Sequence, residues 1–136
     1  MSNITFNVAK GRVVELYNRV KSNDPTNAAI ILVPIETSGL EADATLIDAD
    51  TLAALLSGAT NEQTTMGRKT LTDADLAALP APDDSNDRYD ISLPTTTWTA
   101  ASGNAISKIA VCYDSDTTGG TDSNIIPLTM FDFAQT

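Results

Sequence analysis

Histidine is absent from the 136-residue chain. With it go every Ser-His-Asp or Cys-His arrangement, every imidazole metal ligand and any histidine pH switch. Cysteine is nearly absent. Cys112 stands alone, so neither an intrachain disulfide nor a cysteine zinc site can form. No apolar run approaches the roughly 18 residues that a membrane-spanning helix requires, so no membrane partner is expected. The opening Met1-Ser2-Asn3-Ile4-Thr5-Phe6 lacks the basic segment and apolar stretch of a secretory signal, and synthesis in a cytoplasm is expected. What is present suffices for a core. Hydrophobic residues make up 42% of the chain, and a chain of this length buries roughly two-thirds of its unfolded surface. One domain over residues 1–136 is expected.

Charge is unevenly spread. The net charge is −10, yet residues 1–21 hold Lys10, Arg12, Arg19 and Lys21 against only Glu15, a local +3. The other 115 residues carry −13. An acidic body repels phosphate backbones, so no nucleic-acid partner is expected for it. The basic head suits an acidic partner, or the acidic body of a neighbouring copy.

Apolar residues first recur at helical spacing. Phe6, Ala9, Val13, Leu16 and Val20 are separated by 3, 4, 3 and 4 positions, which predicts an amphipathic helix over residues 1–22. At about 100° per residue, Lys10 and Lys21 flank this stripe on one side and Arg12 and Arg19 on the other. Gly11 in its middle costs about 1 kcal/mol against alanine. Two heptads are marginal alone, so something must cover the stripe. Two covers are open: the chain's own domain, or symmetry mates whose acidic bodies meet the basic flanks. In the second case Phe6, Val13, Leu16, Val20, Arg12 and Arg19 form a self-association interface.

The turn cluster Ser22–Asn27 ends this helix. Ala28–Val33 is continuous, apolar and rich in β-branched residues, which predicts a strand buried on both faces and closed by Pro34. Residues 40–80 read as helical. Asp48–Leu56 and Asp73–Leu79 start with carboxylates suited to helix N-termini and stop at Ser57-Gly58 and Pro80. After the polar loop Pro80–Asp87 the texture turns to β, in runs over Arg88–Leu93, Thr95–Thr99, Ala105–Tyr113 and Asn124–Phe133. The order predicts an α+β fold: an N-terminal helix, short helices in the middle, and a mostly antiparallel β-sheet or sandwich in the C-terminal half.

Few residues offer chemistry. Asp114-Ser115-Asp116 follows an apolar strand, as in phosphotransferases of the haloacid-dehalogenase type, but the 22 residues after Asp114 contain no lysine to complete such a site. Asp114, Asp116, Thr118 and Asp122 also fit positions 1, 3, 5 and 9 of a calcium loop. Position 12, which needs a bidentate glutamate, is Ile125, so a solvated hairpin loop is expected, with a cation site of another kind as the alternative. Asp83, Ser85 and Asp87 make a similar cluster in a loop, while Glu36, Glu41 and Glu62 are isolated. Cys112 lies mid-strand with no neighbouring cation, which suits a buried small hydrophobe. No enzyme activity, cofactor or resident metal is expected.

A set of segments nonetheless resembles a known family. These are Asn7–Arg12, Gly39–Leu56, Asn61-Glu62, Arg68–Asp75, Ala81–Asp84 with Asn86–Arg88, Thr97–Ala100, Val111–Asp114, and Asp122–Thr129 with Asp132-Phe133. Together they resemble small structural proteins of tailed bacteriophages, described as virion, minor tail or head-associated proteins. The resemblance implies a non-enzymatic virion component, assembled in the host bacterial cytoplasm, whose partners are copies of itself and other virion proteins. A tail or tail–head piece is expected. A capsid decoration protein is the alternative, with a host-glycan-binding module working through the loops near Trp98 and Tyr113 as another class. An acidic nucleic-acid mimic is a further one. Threonine occurs 19 times, which favours solvent-tolerant β surface over a catalytic cleft.

Overall fold

A computed structural model describes residues 2–99 and 101–135. Its centre is the pair of strands with the most continuous apolar sequence. β2 (Ala29–Glu36) is buried at every position but the last, and β4 (Ile106–Asp114) at all nine. Strands with no polar face need cover on both sides, and the other elements supply it. β1 (Ile4–Thr5), β3 (Lys69–Leu71) and β5 (Ile126–Gln135) complete a five-stranded sheet in the order β1-β5-β4-β2-β3, with every pairing antiparallel. The α+β layout expected from the sequence is therefore the observed one. The sheet is assembled from both ends of the chain, because β1 pairs with β5 and β2 with β4.

Pro34 lies inside β2 and does not close it. Its carbonyl accepts from Gln63 N–H at 2.9 Å, past the end of β3. The proline nitrogen points to that same side, so no bond of the β2–β4 ladder is lost.

The helix expected over residues 1–22 is broken in three. Residues 4–5 form β1, Asn7–Ala9 form a 3-10 turn, and only Val13–Lys21 form a helix, α1. Gly11 separates the last two with φ +80, a left-handed conformation in which glycine alone is unstrained. The sheet also competes for the opening residues. Ile4 pairs with Met130, Thr5 with Thr129, and Phe6 N–H donates to Leu128 O at 3.0 Å.

The middle of the chain holds three single turns of helix: α2 (Asp43–Leu46), α3 (Leu52–Leu55) and α4 (Asp73–Leu76). Threonines, not the leading aspartates, start two of them. Thr51 Oγ1 accepts from Ala54 N–H at 3.1 Å. Thr72 precedes α4, where the Asp75 carboxylate reaches back to its N–H at 2.8 Å, the reciprocal half of a capping box. Asp48 lies before the cap of α3 and accepts instead from the Asn7 side chain.

The strands expected at Arg88–Leu93 and Thr95–Thr99 do not form. Residues 89–98 join no ladder, and only an isolated bridge links Asp83 to Arg88. β1 and β3 occupy the sheet's two edges, and Pro94 would remove a ladder donor. The segment serves as cover: Ile91, Leu93 and Trp98 pack half-buried against the core.

Candidate functional site

The six residues of the expected interface do not stay together. Phe6, Leu16 and Val20 are buried in the chain's own core, at 0–2% exposure, and Val13 packs half-buried against them. A side chain already covered by its own domain offers nothing to a partner, so the apolar stripe is not an assembly surface. Only Arg12 and Arg19 remain exposed, and Arg19 pairs with Glu15 at 3.0 Å.

The Asp114–Ser123 loop does not gather its oxygens. Asp114 Oδ1 accepts from Asp116 N–H, and Asp116 Oδ1 accepts from Thr118 N–H, each at 3.0 Å. The bonds from the Thr118 hydroxyl and N–H hold the Asp116 carboxyl below its ordinary value. Asp122 is committed elsewhere, to Arg68. The four candidate residues are therefore spent on local turns and an ion pair, and no cluster of metal-ligating side chains exists among the described residues.

Arg68 is a clamp with no signature in the sequence. Its guanidinium bonds Glu62 at 2.6 and 2.7 Å and Asp122 at 2.7 and 2.9 Å. Two paired forks use the planar geometry of arginine fully. They tie the 62–68 segment to the 3-10 turn Asp122–Asn124. The Arg68 hydrogen bond outweighs partial burial and holds the Asp122 carboxyl below the usual carboxylate range. Glu62 is thus not isolated, but its partner is structural.

Lys108 is a second buried centre. It lies fully buried within β4, beside Ala110 and Cys112 on one face of the sheet. Its Nζ is 2.6 Å from Asp132 Oδ1, 3.2 Å from Asp43 Oδ1 and 2.9 Å from Ser2 O. Burial disfavours the charged form of Asp43, but donation from Ser2 N–H and from Lys108 prevails and holds its carboxyl low. Cys112 is fully buried, which pushes its thiol up to about 12. A thiol so raised is no nucleophile near neutral pH.

The open surface lies at the end of β5. Phe131 and Phe133 are 42% and 48% exposed, and with Val14 they are the large exposed apolar side chains among the described residues. Two positions apart on one strand, they share a face of the sheet. Phe133, Ala134 and Gln135 wall a groove of about 320 Å³ with Thr96, Thr97 and Trp98. The Trp98 indole N–H donates to Gly67 O at 2.8 Å, and Lys69 Nζ lies 5.9 Å from the ring centroid. Tyr113, by contrast, is buried in the sheet. It supplies no open aromatic platform beside Trp98.

No protein-family model, curated protein or solved structure matches the chain.

Proposed function

We propose that the protein is a non-enzymatic structural component of a tailed-bacteriophage virion, a tail or tail–head piece that assembles with copies of itself and with other virion proteins. The observation that carries the assembly part is the pair Phe131 and Phe133, exposed on one face of a strand whose first half is buried at Pro127, Leu128 and Met130. Hydrophobic side chains side by side in water favour association, at roughly 25 cal/mol per Å² of apolar surface covered. Charge supports the same reading, since a head of +3 complements a body of −13 in a neighbouring copy. The virion context rests on the resemblance of the segments between Asn7 and Phe133. Capsid decoration uses the same surface and differs in copy number. Quantitative mass spectrometry of purified virions tests both. A small multiple matching tail symmetry is expected, one copy per capsid subunit selects decoration, and absence from particles contradicts the proposal.

A further inference from the structure

We propose that Lys108 and Asp132 join covalently as an intramolecular isopeptide bond, with Asp43 carrying the proton between them. The inference is independent of any place in a virion and rests on three features of the Lys108 centre. The first is proximity. Lys108 and Asp132 are direct cross-strand partners of β4 and β5, so their side chains share a face, and Nζ lies 2.6 Å from the carboxylate. Holding amine and carboxyl together turns a reaction negligible between free side chains into an intramolecular one.

The second feature is the surplus carboxylate. One acid suffices to neutralise one ammonium, yet Lys108 has two. Asp43 is fixed by the Ser2 N–H and hydroxyl, both donating to its Oδ2. Its Oδ1 is buried, lies 3.2 Å from Nζ and has no other partner among the described residues. That oxygen is placed to take a proton from the amine. The third feature is asymmetric exposure. Nζ is sealed, with Lys108 at 0%, whereas the Asp132 side chain is 41% exposed, so the departing water has a path out.

The step balances within the cluster. A proton passes from the Lys108 ammonium to the Asp132 carboxylate, leaving an amine and a carboxylic acid. The Nζ lone pair attacks Asp132 Cγ and forms the C–N bond. Asp43 removes a second proton from the nitrogen and delivers it to the hydroxyl on Cγ. The C–O bond then breaks and one water leaves. Amine and acid become amide and water, with no oxidant or co-reactant. The product replaces a buried ion pair, whose desolvation is costly, by a neutral amide whose N–H faces Asp43.

Intact-mass spectrometry and peptide mapping of the folded full-length protein decide the matter. The wild-type chain is expected to be one water lighter than its sequence mass, and digestion should yield a branched peptide joining β4 to β5 at Lys108 and Asp132. Lys108→Arg and Asp132→Ala should keep their full sequence masses, and Asp43→Asn should slow the bond or stop it. Folded wild-type protein that retains both hydrogens and the oxygen after prolonged incubation overturns the proposal, whatever the variants do. So does a lost water that maps to another site.

Discussion

β4 and β5 lie side by side in one ladder, yet β4 is buried at all nine positions while the last five residues of β5 are exposed. Both strands have apolar sequence, so composition does not separate them. Cover does. β4 has a strand on either side, whereas the outer edge of β5 meets the two residues of β1, opposite Thr129 and Met130, and the Phe6 N–H that donates to Leu128 O. Beyond Met130, among the described residues, Asn3 holds the edge: its Oδ1 accepts from Asp132 N–H at 2.9 Å. The strand thus begins in the core and ends in water, with Phe131 and Phe133 uncovered.

That contrast is sharpest in large-to-small substitutions along β5. Leu128→Ala, at a fully buried position, should cost about 2–5 kcal/mol. Phe133→Ala should change the stability of the isolated subunit by less than about 0.5 kcal/mol. Urea unfolding measures both, and a Phe133→Ala loss as large as that of Leu128→Ala would mean the end of β5 is covered after all. Next in size is the Arg68 clamp. Arg68→Ala leaves two partly buried carboxylates without their donor and should cost about 1–3 kcal/mol. It should also change the acid limb of stability. The folded Asp122 carboxyl is depressed below its ordinary 3.8, so its contribution is fully present above that value and is lost as pH falls through the lower, folded one. Wild-type stability should therefore drop more steeply below about pH 4 than that of Arg68→Ala, which paired thermal melts would read.

Smaller effects belong to the single-turn helices and the hairpin loop. Thr51→Ala removes the cap of α3 and should cost about 1 kcal/mol, seen as a lowered denaturation midpoint. Asp116→Ala, in an exposed turn, should stay within about 0.5 kcal/mol. Millimolar Ca²⁺ should leave the Tm unchanged, since a ligand raises it only by binding the folded state. A calcium-dependent rise lost in Asp116→Ala would restore the loop as a cation site.

The α+β class and the long strands were legible because Ala28–Val33, Ala105–Tyr113 and Asn124–Phe133 are apolar runs of strand length. β1 and β3 were not, since strands of two and three residues carry no period to detect. The N-terminal stripe misled for a physical reason. Phe6 and Ala9 fall at helical spacing from Val13 by coincidence, and no pattern reveals that Gly11 takes positive φ. The Lys108 centre left a trace that residue patterns contain. A lone lysine inside an apolar strand demands a buried counter-charge, and Asp132 sits in the matching strand. Its second partner, Asp43, lies 65 positions away on another element, which no local pattern conveys. The Arg68 clamp, spanning 54 positions to Asp122, was invisible for the same reason.

The uncovered end of β5 is the surface proposed to hold the protein to its own copies. Sedimentation of the wild-type chain beside a Phe131→Glu, Phe133→Glu double variant tests it most directly. The wild-type particle should be heavier than the 14.3 kDa chain, and the double variant should sediment at that single-chain mass with an unchanged melting curve. A wild-type protein that sediments as a single chain at every concentration, or a double variant that keeps the wild-type mass, contradicts it.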